Sequence, residues 1–145
     1  MKEYLVTLEI ITKDYSLQEL EKLLNIKTAS GSYSIDEICG LRGEHTTNST
    51  ALKLKPHIPK TADIVEHLNG IKSMVSEKKI LDVEKIPANC SFLLNIGVLF
   101  DTPYCSVKIP PYYWNWMGEN KISMEITCYS CSNDSYEDDL VEPGD

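Results

Sequence analysis

The alternation between Cys90 and Phe100 constrains this chain more than any other stretch. Cys90, Phe92, Leu94, Ile96, Val98 and Phe100 recur at period two, with Ser91, Leu93, Asn95, Gly97 and Leu99 between them. A strand directs alternate side chains to opposite faces. One face is then wholly apolar, and the other is mixed and interrupted by Asn95 and Gly97. That pattern predicts a central strand with one face on the core. A strand of this kind requires neighbours at its edges and a second layer over its apolar face.

The residues that follow read as turn, strand, helix and strand. Asp101-Thr102-Pro103 has turn chemistry. Tyr104, Ser106 and Lys108 then alternate with Cys105, Val107 and Ile109, which predicts a returning antiparallel strand. Pro110-Pro111 stops it, because proline has no N–H for the ladder. Pro111 also suits the first position of a helix. The helix runs through Tyr112-Tyr113-Trp114-Asn115-Trp116-Met117 and ends at Gly118, a natural left-handed terminator. Tyr113, Trp114 and Met117 are assigned to the side covering the sheet, and Tyr112 and Trp116 to the neighbouring side. Ile122, Met124, Ile126 and Cys128 alternate with Ser123, Glu125, Thr127 and Tyr129, predicting a last, half-buried strand.

Upstream, Tyr4, Val6, Leu8 and Ile10 alternate with Leu5, Thr7, Glu9 and Ile11, as in an internal strand. Ser16-Leu17-Gln18-Glu19 is a capping box, with Tyr15 and Leu20 placed for a hydrophobic staple. Leu17, Leu20, Leu23 and Leu24 give that short helix its apolar face. Residues 27–49 are rich in Thr, Ser, Gly and Asn and are expected to form a long loop. Ala51, Leu52 and Leu54 suggest a strand that ends near Pro56. Beyond Pro59, Thr61 or Asp63 caps a helix whose stripe is Ile64, Val65, Leu68, Ile71 and Val75. His67 falls off that stripe, at the surface or its boundary. Ile80 to Ile86 reads as a connection with a short edge strand through Leu81 and Val83. The fold class is α+β: a mainly antiparallel sheet with helices packed on one face. A ferredoxin-like sandwich is one such arrangement. Residues 1–129 form a single domain, and residues 130–145 an acidic tail.

Charge narrows the range of partners. The 145 residues carry a formal net charge of −8, from 22 acidic and 14 basic side chains. Asp134, Glu137, Asp138, Asp139, Glu142 and Asp145 lie in residues 130–145, which hold no Lys or Arg. The acidity is thus largely a tail property. Arg42 is the single arginine, which disfavours direct nucleic-acid binding, since that requires a basic face. No apolar run approaches the roughly 20 residues of a membrane span, and Met1-Lys2-Glu3 leads into a strand without a signal-peptide pattern. The five cysteines are odd in number and sit mostly at apolar strand positions. Reduced thiols and a cytoplasmic location are expected.

The opening strand and helix followed by Leu24-Asn25-Ile26-x-Thr28 resemble the bacterial domain-of-unknown-function 4279 family. So does the second half, with its hydrophobic strand, Ser106-Val107-Lys108-Ile109-Pro110, a short helix and Ile122-Ser123-Met124-Glu125-Ile126. The resemblance covers most of residues 3–129 and rests on patterning. The aromatic Tyr112 to Trp116 segment and the acidic tail depart from it. It implies an α+β fold and supplies no activity. In size, charge and architecture the chain also looks like the immunity proteins of contact-dependent and polymorphic toxin systems.

The side chains that carry chemistry do not assemble into a reactive motif in the sequence. Cys128-x-x-Cys131 invites a metal or redox reading. Zinc requires four ligands, and a second such pair is absent. A redox pair belongs at a helix start, whereas this one ends a strand. Cys39 with His45 lacks a local signature for an orienting group or oxyanion hole. Asp36-Glu37 reads as solvated acids. Gly40-Leu41-Arg42-Gly43 is too short to cradle phosphate. No catalytic residue, metal or cofactor is assigned. Partner binding is assigned to Tyr112 and Trp116, since exposed aromatics favour interfaces, and to the acids Asp36, Glu37, Glu44, Asp138 and Asp139. The expectation is an immunity protein neutralising a cognate, basic toxin, a nuclease by the charge argument. The alternatives are a small-ligand or regulatory domain with a pocket near Asn95 and Gly97, and a hydrolase using Cys39 or His45 of the 27–49 loop.

Overall fold

The computed structural model describes residues 1–26, 33–38 and 49–131, the second of these ranges by its backbone. The elements follow in the order β1 (Lys2–Thr12), α1 (Leu17–Leu24), β2 (Tyr33–Ile38), β3 (Ser49–Leu54), α2 (Ile64–Glu77), a 3₁₀ turn (Ile80–Asp82), α3 (Lys85–Asn89), β4 (Ser91–Phe100), α4 (Pro111–Glu119) and β5 (Ile122–Ser130). They build one sheet with strand order β2-β3-β1-β4-β5. The β1–β3, β1–β4 and β2–β3 pairs are antiparallel, and β4–β5 is parallel. The fold is α+β. The order and directions of β1 to β4 are compatible with a ferredoxin-like alternation, to which β5 is an addition.

The two alternating sequences meet at the centre. In register, Tyr4, Val6, Leu8 and Ile10 of β1 face Val98, Ile96, Leu94 and Phe92 of β4. Leu52 and Leu54 of β3 extend the same apolar surface. All of these side chains are buried in one cluster with Leu20 and Leu24 of α1, Ile64, Leu68, Ile71, Met74 and Val75 of α2, and Tyr113 and Met117 of α4. The helices therefore share one face of the sheet. On the other face Leu5, Thr7, Leu93, Asn95 and Leu99 are half-buried.

Local chemistry fixes the helix ends. Ser16 Oγ accepts from the Glu19 N–H, and Glu19 Oε1 accepts from the Ser16 N–H at 2.9 Å, completing the expected capping box. Asn25 takes the left-handed conformation (φ 54°) that closes α1. Asp63 caps α2 by accepting from the Ile64 N–H at 2.9 Å. Gly118 is not the terminator of α4. The helix runs to Glu119, and the left-handed residue is Lys121 at φ 55°.

Four other expectations fail for identifiable reasons. Tyr104 to Ile109 is not a strand of the sheet. The edge of β4 is taken in parallel by β5, so the segment must cross the helical layer. Its Cys105, Val107 and Ile109 pack against the core while Tyr104, Ser106 and Lys108 face solvent. Alternation there reports one-sided burial, not ladder pairing. Leu81 and Val83 do not form an edge strand: the 3₁₀ turn and α3 occupy that region. The 27–49 stretch contains β2, where Tyr33, Ile35 and Glu37 stand opposite Leu54, Leu52 and Thr50. Finally, β5 is half-buried only at its start, with Ile122 buried, Met124 intermediate, and the rest exposed.

His67 is also placed differently from the expectation. It is 3% exposed, turned onto the Tyr4 ring in an edge-on contact at 5.8 Å between centroids. Its Nε2 has no hydrogen-bond partner. Burial holds its pKa below the ordinary 6.5, against the raising effects of the Pro59 and Lys60 backbone and of Glu66. The neutral ring is thus the form the fold accommodates. Stability is complete above pH 6.5 and falls as pH drops from there through the depressed folded value. Replacing His67 with Leu should flatten that acid limb in urea titrations between pH 7 and pH 5. In the core, Leu94→Ala should lower unfolding free energy by about 2–5 kcal/mol, and Ser16→Ala by about 1 kcal/mol, both read by urea denaturation.

Candidate partner-binding surface

α4 carries the densest aromatic sequence in the chain, and the structure splits it across three environments. Tyr113 and Met117 are buried against the sheet. The Tyr113 hydroxyl meets Asn69 Oδ1 of α2. Trp116 is intermediate and packs against the core edge. Tyr112 and Trp114 are 59% and 50% exposed. The assignment of Trp114 to the core is corrected: its indole N–H donates to the Ile109 carbonyl at 3.0 Å, which holds the ring over the incoming segment. Trp116, expected beside Tyr112 on the freer side, is the more buried of the two tryptophans. A helix this short, Pro111 to Glu119, offers one buried stripe. Tyr113 and Met117, four residues apart, take it.

Lys72 of α2 ties this surface together. Its ammonium lies 4.0 Å from the Tyr112 ring centroid and 5.7 Å from that of Trp116, and it donates to the Tyr112 hydroxyl. A cation over an aromatic face is attracted by the ring quadrupole. The lysine thus holds Tyr112 in place while leaving its ring partly open. Tyr112 also meets Tyr113 edge-on at 5.2 Å. The outer side of α2 next to Lys72, with Ser73, Ser76 and Glu77, is an open, shallow surface. The sequence assignment missed Lys72, because pairing between α2 and α4 is a long-range contact with no local signature.

The remaining assigned residues are dispersed. Asp36 and Glu37 lie on β2, opposite Ala51 and Thr50 in register, on a strand at the far edge of the sheet from β5. They do not join the α4 surface. Glu44, Asp138 and Asp139 lie outside the described residues, as do Cys39 and His45. Cys128 is exposed on β5 and Cys131 follows its end. Among the described residues no group of three or more His, Cys, Asp or Glu is placed to hold a metal ion. Nor is any helix there long and apolar enough to cross a membrane.

A second concavity, about 310 Å³, lies where β4 and β5 begin, with Cys90, Ser91, Asn120 and Lys121 on its wall. Burial pushes the Cys90 thiol above its ordinary pKa, which outweighs the lowering influence of the nearby Thr12 side chain. That favours the thiol over the nucleophilic thiolate. Near Asn95 and Gly97, a Cβ added to Gly97 would stand 3.4 Å from Leu5 Cβ and 3.7 Å from the Tyr129 ring. Leu5 and Tyr129 already close in on that position.

No family model, no curated protein and no solved structure matches this chain.

The coupling between Lys72 and Tyr112 is open to direct measurement. A double-mutant cycle with Lys72→Met and Tyr112→Leu should return an interaction of about 0.5–1 kcal/mol, with each single variant still folded.

Proposed function

We propose that this chain is a binding protein that acts by covering a partner, and that the partner is a basic bacterial toxin for which it serves as the immunity protein. The observation that carries the reading is the α4 surface. Tyr112 and Trp114 are largely exposed on a rigid helix anchored by Tyr113 and Met117, and Lys72 fixes one of them. Tyr112 and Trp114 each make one hydrogen bond within the fold, and exposed Tyr and Trp bring large contact area to an interface. Net charge of −8 would speed encounter with a positively charged partner through long-range attraction. The intracellular location that such a role needs belongs to the same proposal.

A small-ligand function is the second reading, supported by the cleft at Cys90, Asn120 and Lys121. Its lysine would favour an anionic group.

Co-expression with candidate basic toxin domains, beginning with any that a neighbouring gene encodes, tests the first reading. Wild-type protein should restore growth and bind the purified toxin. Tyr112→Ala and Trp114→Ala should each weaken binding by tenfold or more while leaving the melting curve nearly unchanged, as central aromatic anchors do. Failure of the wild type to bind or protect would reject the reading.

A further inference from the structure

We infer that the outer edge of β5 is a strand-addition site, and that its occupant is an extended, lysine- or arginine-bearing segment of a protein partner. The inference rests on the binding-protein reading and supplies its mode of contact.

Among the described residues, β5 is the last strand in the sheet and pairs with β4 alone. The Cys131 N–H donates to the Phe100 carbonyl at 2.6 Å. In an extended strand a residue's N–H and C=O point the same way, and the direction alternates along the chain. Glu125, Thr127 and Tyr129 therefore spend their backbone groups on β4. Met124, Ile126 and Cys128 direct theirs outward, in the spacing that a new strand requires.

Sheet edges in monomeric proteins are ordinarily guarded by lysine, proline, a bulge or a covering element. Ile122 to Ser130 contains no Lys and no Pro, and a single charge at Glu125. Its register with β4 runs unbroken from Ile122 to Ser130. Ile126 and Tyr129, on opposite faces, are 41% and 51% exposed. An incoming strand would find apolar surface on both sides of its backbone, the arrangement by which strand addition obtains affinity from the main chain and selectivity from alternate side chains. α4, which bears Tyr112 and Trp114, packs on this same strand, so the two surfaces adjoin.

Charge selects the occupant. From Glu119 onward the chain carries Glu119, Glu125, Asp134, Glu137, Asp138, Asp139, Glu142 and Asp145 against one base, Lys121. A second copy pairing β5 with β5 would bring two such acidic sequences together, each on a chain of net charge −8. A basic segment is attracted to the edge that a second copy would find repulsive.

The test uses the full chain and a synthetic peptide matched to β5 in length, alternating Lys with Val. Controls are the same peptide with Glu for Lys, and one N-methylated on alternate residues of each edge. Amide chemical-shift changes on adding the Lys peptide should centre on Met124, Ile126 and Cys128, and be lost with either control. Cys128→Pro removes an outward N–H at an exposed edge position that proline tolerates. It should weaken the peptide by about tenfold or more, with Cys128→Ser retaining it. If Cys128→Pro fails to fold, the methylated peptide decides. Equal binding of the methylated peptide, or shifts that leave those three amides unmoved, would overturn the inference. So would self-association in sedimentation that Cys128→Pro abolishes, because the occupant would then be a second copy. Toxin binding that survives Cys128→Pro but not Tyr112→Ala would reject the edge and spare the binding reading. Edge pairing without any toxin protection would do the reverse.

Discussion

The pairing of β1 with β4 is the contact on which the rest of the structure depends. It runs in register from Lys2 opposite Phe100 to Ile11 opposite Ser91. Each strand contributes a full apolar row, so the pair makes a continuous hydrophobic surface in the middle of the sheet. Every other element is placed by reference to it. β3 and β5 take the two free edges, and α1, α2 and α4 close over the apolar row. A one-residue slip between these strands would leave the two rows on opposite faces of the sheet. The register is therefore held by burial along its whole length and not by any single side chain.

The two ends of the sheet differ as a result. At the β3 side, Ala51, Leu52 and Leu54 are fully covered. At the β5 side the helical layer runs out. α4 is short, and its buried stripe covers Ile122 and part of Met124 before ending. Ile126 on the strand and Tyr112 and Trp114 on the helix are left in solvent beyond that limit, and Tyr129 is exposed on the opposite face of the sheet. Exposed apolar area gathered at one border of an otherwise well-packed domain is the usual mark of a contact surface. Lys72 lies against Tyr112 and Trp116 at this border.

His67 shows how a buried polar group is tolerated without being satisfied. Its ring packs against Tyr4 at the start of β1, and the Pro59 and Lys60 backbone supports one side of it. Desolvation of Nε2 is met by keeping the ring neutral. The segment between β3 and α2 is pinned at the same place, since the Tyr4 N–H donates to the Lys60 carbonyl at 2.8 Å.

Local patterning is enough to read β1, β3 and β4, the capping box at Ser16, Ile64, Leu68, Ile71 and Val75 of the α2 stripe, and the α+β class. In each case the deciding interactions are local, or follow from which side of one element is apolar. It also marked Tyr112 as an available aromatic. It misread Tyr104 to Ile109, because an extended segment lying over a core alternates just as a paired strand does. It passed over β2, whose Tyr33 and Ile35 pattern was short and set among polar residues. The three-dimensional packing alone sets β5 parallel to β4, places His67 inside and Trp114 outside, and brings Lys72 to Tyr112 and Trp116. Those outcomes depend on which elements become neighbours, and neighbours distant in sequence leave no periodic trace in either segment alone.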